Sequence, residues 1–145
     1  MESTITFASN DLISIVFDGL YNYKTAAHPI HWLFTLNFNP QTLETITLSE
    51  KYIIDEALYN IFAEVAETNI TNECDGVWPE NWGTFSETIC SKNHFIEGMI
   101  KEVDFYYYYA ETGIVISYPV VHAMGDQKEG EISYDSLKKL VKETK

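Results

Sequence analysis

The segment 105–118 constrains the fold more than any other. It reads Phe105, four consecutive tyrosines from Tyr106 to Tyr109, the turn Ala110-Glu111-Thr112-Gly113, and then Ile114-Val115-Ile116-Ser117-Tyr118. Two β-branched and aromatic runs of strand length, joined by a short Gly-containing turn, predict a β-hairpin. Gly113 is expected to supply the positive φ that closes such a turn. Alternation places Phe105, Tyr107 and Tyr109 on one face of the strand, and Tyr106 and Tyr108 on the other. A strand that is aromatic on both faces is either covered on both or offers one of them to a partner.

Further strands follow from the same patterning. Residues 5–7 form a short strand or a tail. Leu12 to Phe17 reads as a largely buried strand, ended by a turn or bulge at Asp18-Gly19. Trp32 to Phe38 reads as another, with Trp32, Phe34, Leu36 and Phe38 on one face and Leu33, Thr35 and Asn37 on the other. Asn39-Pro40-Gln41-Thr42 is turn chemistry, and 43–48 is expected to pair back as a short strand. A last strand is predicted around 131–134.

Thr47-Leu48-Ser49-Glu50 fits a capping box, in which a hydroxyl and a carboxylate satisfy orphan amides. It predicts a helix over about 49–69. Ile54, Leu58, Ile61 and Val65 repeat there at helical spacing, with Ala57 and Phe62 widening the stripe. Residues 94–101 suggest a helical turn. Asp135 or Ser136 is expected to cap a short C-terminal helix with Leu137, Leu140 and Val141 on its apolar face. The expected architecture is therefore a single α+β domain over 1–145, an antiparallel sheet packed against one long helix (about 49–69), with a short C-terminal helix.

Charge narrows the function. Twenty-two acidic residues face nine basic ones, for a formal net charge of −13. Nucleic-acid binding is disfavoured, because neutralising phosphates needs clustered Lys and Arg. Adhesion to anionic lipid is disfavoured for the same reason. An acidic surface steers towards a basic partner, with an effect that salt weakens, or simply keeps the domain soluble. No 18-residue apolar run exists, so no transmembrane segment is expected. Met1-Glu2-Ser3-Thr4 lacks the features of a signal peptide. Either the chain is cytosolic, or a leader and anchor lie outside this sequence.

Cys74 and Cys90 bound 15 residues rich in Gly, Pro, Trp and Asn. Their spacing suits neither a redox pair nor a zinc knuckle. A disulfide closing this irregular segment would contribute about 3 kcal/mol in the chain-entropy model. Two unrelated free thiols are the alternative. Inside the segment, Trp78-Pro79, Trp82-Gly83 and Phe85 either anchor a protein partner or stack on a sugar ring, or else form a local mini-core. Tyr118 to Gly125, including His122, is a recognition loop or a packed crossover.

Catalytic patterns are absent. His28-Pro29-Ile30-His31 would need His94 or His122 to complete a zinc site, and Pro29 favours an extended or turn conformation. Ordinary hydrogen-bonded histidines are the expectation, with no metal and no cofactor. No Gly-x-Ser-x-Gly elbow or Gly-rich phosphate loop occurs, and no carboxylate pair stands out among so many acids. A cysteine nucleophile requires Cys74 and Cys90 to be unbonded. The chain does not read as an enzyme.

Several of these pieces occur together in one family. Residues 105–118, the Pro119-containing loop, and Gly130-Glu131-Ile132-Ser133-Tyr134-Asp135-Ser136-Leu137 resemble the extracytoplasmic C-terminal domain of RsiV-type anti-sigma factors. That domain of unknown function recurs in some peptidoglycan deacetylases and many bacterial lipoproteins. Ala26-Ala27-His28-Pro29 is similar to its Gly-Gly-Ala-His-Pro element. Phe38-Asn39-Pro40-Gln41-Thr42-Leu43-Glu44-Thr45-Ile46-Thr47-Leu48 is similar to its Phe-Asp-Leu-x-Thr-Gly-x-x-Ile-x-Leu stretch. The chain departs from the family at Val121-His122-Ala123-Met124 and in the segment between Cys74 and Cys90.

The resemblance implies an α+β domain with an antiparallel sheet outside the cytoplasm, and it strengthens the case for the Cys74–Cys90 disulfide. In the anti-sigma factors the domain binds lysozyme, a strongly basic protein. The expectation is thus a non-catalytic cell-envelope ligand-binding or sensor domain that recognises lysozyme or another basic protein through His28, Trp78, Trp82, Tyr118 and His122. The alternative is an accessory module of a wall-modifying enzyme that binds peptidoglycan or another cell-wall glycan.

Overall fold

β-Branched runs separated by turn residues pair with their sequence neighbours, and this chain does so twice. The computed structural model describes residues 1–22, 24, 29–74, 92–119 and 126–143, the side chains of 67–74 excepted. In it, β1 (Glu2–Ala8), β2 (Ile13–Tyr21) and β3 (Ile30–Phe38) form one antiparallel sheet in that order. A second antiparallel sheet orders β4 (Tyr106–Tyr109), β5 (Gly113–Pro119) and β6 (Gln127–Ser133). Between the sheets in the chain lie α1 (Leu48–Lys51), α2 (Glu56–Cys74) and α3 (Lys92–Lys101). The one-turn helix α4 (Tyr134–Leu137) and a 3-10 turn (Lys138–Leu140) follow β6.

This corrects the expectation of one antiparallel sheet packed against a single helix over about 49–69. The helix start was legible: Thr47 N donates to Glu50 Oε2 at 2.7 Å. The helix nevertheless stops after Lys51. Tyr52 turns to an extended conformation (φ −127°, ψ 153°) and bridges Val141. Ile53 N donates to Leu140 O, and Lys142 N to Lys51 O. Helix resumes at Glu56, where Asp55 Oδ1 accepts from Ala57 N at 2.9 Å. Pairing with the C-terminal segment overrides the local helical pattern.

The division into two sheets has its cause at β4. Among the described residues, Tyr107 O and Tyr109 N meet no strand on this side. Asn37 Nδ2 donates to the first at 3.0 Å, and Ser14 Oγ accepts from the second at 3.0 Å. Ser14 Oγ in turn donates to Asn37 Oδ1. Two polar side chains of the first sheet thus satisfy the edge of the second, and both are buried (Ser14 0 %, Asn37 6 % exposed).

Smaller corrections follow. Asp18 and Gly19 lie within β2, paired with Leu33 and Trp32. Residues 43–48 contribute only the bridge between Phe38 and Thr45. Ser133, not Asp135 or Ser136, caps α4, its Oγ accepting from Ser136 N at 3.2 Å. The hairpin between β4 and β5 forms as read, but Gly113 does not take a left-handed φ. It is required by proximity: a Cβ there would stand 2.1 Å from Ile132 O.

The core lies on one face of the second sheet. Tyr107, Tyr109, Ile114, Ile116, Tyr118 and Ile132 pack there with Leu58, Phe62, Phe95 and Met99 of the helices. Phe62 stacks on Phe95 at 5.0 Å and meets Tyr118 edge-on at 5.6 Å. Tyr106 and Tyr108 point to the other face and are half-buried, as the alternation requires.

Candidate functional site

The face of the first sheet that looks towards the second carries the cross-strand rows Thr4–Val16–Thr35 and Glu2–Asp18–Leu33. Tyr108 and the start of β6 stand opposite. Between them lies a cleft of about 470 Å³. Glu2, Thr4 and Thr6 line it from β1, Val16 and Asp18 from β2, His31 and Leu33 from β3. Tyr108 closes it from β4, and Gln127, Lys128 and Glu129 from β6.

Register builds the polar end of this cleft. Asp18 faces Leu33 across the β2–β3 ladder, and His31 is two residues back on the same face. This diagonal brings His31 Nε2 to 2.6 Å from Asp18 Oδ1. His31 N donates to Asp126 Oδ2 at 2.6 Å, tying β3 to the start of β6. Asp126 holds a left-handed φ of 68°. A bulge between Ile5 and Phe7 re-aims Thr6, whose hydroxyl donates to Ser14 O at 3.3 Å. Ser117 Oγ donates to Gln127 Oε1 at 3.2 Å.

Burial and nearby acids act on Tyr108. Burial chiefly, and then the carboxylates of Glu129 and Glu131, hold its phenol protonated well above the usual range. Burial raises Tyr107 and Tyr109 likewise, and pushes Tyr134 up to about 12. Unfolded tyrosines release their protons near pH 10, so above that pH the unfolded state binds fewer protons and stability falls. A urea midpoint that is flat between about pH 7 and 10 and falls above it is expected. A folded protein whose tyrosines all titrate at the unfolded position would contradict this, and absorbance titration decides it.

The sequence singled out His28, Trp78, Trp82, Tyr118 and His122. Of these, Tyr118 is described: its ring is 2 % exposed in the core against Phe62, not on the cleft wall. His28, Trp78, Trp82 and His122 lie outside the described residues, as does the Cys74–Cys90 pairing. The described flanks of the His28 and His122 segments do meet, through His31 and Asp126. Among the described residues, no group of three His, Cys, Asp or Glu side chains is placed to hold a metal. His94 pairs separately, with Asp104 at 3.6 Å. Sequence reasoning missed Asp18, which it read as a turn, and left His31 as an ordinary histidine. Tyr108 was within reach, because alternation had set it on the face away from Tyr107 and Tyr109.

No helix among the described residues is long and apolar enough to cross a membrane. No protein-family model matches the chain, and no curated protein does. Solved structures do. A member of the DUF3298 family from Bacteroides fragilis superposes with a TM-score of 0.63 at 16 % identity, over 98 % of this chain and 53 % of that one. A DUF3298 family protein from Pseudomonas aeruginosa gives 0.59 at 12 % identity, over 97 % and 60 %. The chain therefore spans between about half and three fifths of the length of these proteins, and what it shares with them is the fold of a domain of unknown function.

Proposed function

We propose that this is a non-catalytic binding domain of the cell envelope, on the extracytoplasmic side, whose inter-sheet cleft contacts a basic protein such as lysozyme. The observation that carries the reading is the acidic wall of the cleft: Glu2, Asp18 and Glu129 border it, on a chain of net charge −13. The resemblance of the sequence to RsiV-type domains supports the same partner class and the same side of the membrane. The polar lining supports recognition over chemistry. His31 is bonded to Asp18, Thr6 to Ser14 O and Gln127 to Ser117, which fixes the shape of the surface presented.

Calorimetry against lysozyme, at low and at physiological salt, tests it. Saturable binding that weakens as salt rises is expected, since the carboxylates at the rim are open to screening. Changing Asp18→Asn together with Glu129→Gln is expected to weaken binding further. No heat at either salt would overturn lysozyme recognition. Binding left intact by the double change would move the contact to the segment of Trp78 and Trp82.

A further inference from the structure

We propose that the cleft holds one cationic side chain of its partner, a lysine or arginine, together with a short stretch of main chain on either side. This rests on the reading of the protein as a binding domain and specifies what the site would recognise. The lining is graded. Leu33 lines the cleft and is 6 % exposed, so it forms an apolar floor with little surface open to water. Val16 and Tyr108 are half-buried beside it. Glu2, Asp18 and Glu129 are exposed at the rim.

That gradient fits an amphipathic chain laid along the cleft. An aliphatic stem rests on Val16 and Leu33 while its charged head turns outward to the carboxylates. Tyr108 lines the same cleft, and its ring would meet the cation there. An acidic patch alone would attract any cation; the buried leucine and the aromatic wall select one with an apolar stem. The cleft has its own cation in Lys128, and three carboxylates against it leave the balance negative. At about 470 Å³ the space exceeds one side chain, and Thr4 and Gln127 supply hydrogen-bonding groups for flanking main chain.

The test is an NMR titration of the whole chain with acetyl-Gly-Lys-Gly-amide, and with the same tripeptide carrying Arg, norleucine or Glu at the centre. Saturable shifts of the Val16 and Leu33 methyls and of the Tyr108 ring are expected with Lys and Arg in the millimolar range. Binding roughly tenfold weaker is expected for norleucine, which keeps the stem and loses the charge, and none for Glu. Asp18→Asn and Glu129→Gln, both exposed and compatible with folding, should each lower the lysine affinity without altering the norleucine affinity. Tyr108→Leu should lower the lysine affinity by more than the norleucine affinity, because it removes the ring face and keeps an apolar wall.

Norleucine binding as well as lysine, or no shift at the cleft up to about 20 mM, would overturn the proposal. The two readings fail separately. Peptide binding without lysozyme binding removes that partner and keeps the side-chain site. Lysozyme binding with an unshifted cleft keeps the partner and removes this site.

Discussion

Gly113→Ala is expected to lower the free energy of unfolding by about 3 kcal/mol, near the upper end of the range for overpacking a well-packed interior. An added Cβ would stand 2.1 Å from Ile132 O, 2.8 Å from its carbonyl carbon and 3.0 Å from Ser133 Cα. All three are main-chain atoms of β6, the strand to which Gly113 itself pairs through Ser133. No side chain can rotate out of the way, so the end of the β5–β6 ladder must open, beside the buried Ile114 and Ile132. Gly19→Ala is the control. Its Cβ would meet ring atoms of Trp32 at 2.8 Å, and that half-buried ring can move, so a cost of about 1 kcal/mol is expected. For a chain of this size the Gly113 change corresponds to a drop of roughly 6–12 °C in Tm. Equal losses at the two glycines in urea or thermal unfolding would show that β6 does not fix Gly113.

The two changes also separate what a sequence can show from what it cannot. Gly113 was conspicuous as a turn residue, and a turn does form, closed by Ala110 N donating to Gly113 O at 2.9 Å. Its actual constraint is the approach of a strand that starts 14 residues further on, which no local pattern encodes. The period of β3 was equally legible. Trp32, Phe34, Leu36 and Phe38 do share a face, as the pairing of Phe34 with Phe17 and of Leu36 with Ile15 shows. Hydrophobicity then suggests that this face points inward. The structure buries Leu33 and Asn37 on the opposite face instead, and leaves Phe34 49 % exposed. Periodicity fixes which residues stand together; the partner across the gap decides which set is covered, and that partner lies some 70 residues away at Tyr107.

The same separation hid the cleft. Its wall residues come from five strands, and two of them, Asp18 and His31, become neighbours only through the β2–β3 register. Asp18 beside Gly19 has the composition of a turn, and only the length of the paired ladder shows otherwise. The signals that did survive were of a different kind. A hydroxyl and a carboxylate three residues apart marked a helix start, and unbroken alternation in 105–109 marked the two faces of β4. Both are satisfied within a few residues and depend on nothing distant.

Asn37→Leu is expected to be of similar weight, roughly 2–5 kcal/mol, for an electrostatic reason. Leucine keeps the branched shape of asparagine but loses its hydrogen bonds, and its methyls crowd Tyr107 O and Ser14 Oγ, which stood at hydrogen-bond distance. Tyr107 O would lose its donor and the Ser14 hydroxyl its acceptor, both in a buried setting. Each stranded group costs about 1–3 kcal/mol. Ser14→Ala alone strands two buried groups as well, Tyr109 N without its acceptor and Asn37 Oδ1 without its donor, and is expected to cost a comparable amount. The double change should fall short of the sum by roughly 0.5–3 kcal/mol, since the two side chains act through each other. The consequence reaches the cleft, because Tyr108 stands between the two clamped residues. A β4 released at Tyr107 and Tyr109 would let that wall shift, so Asn37→Leu should also weaken lysine-peptide binding when measured well below its Tm. Loss of stability without loss of binding would mean that β5 alone positions Tyr108. A variant within about 1 kcal/mol of the parent would mean that the edge of β4 finds other partners, and that the two sheets are held together by apolar packing and not by this clamp.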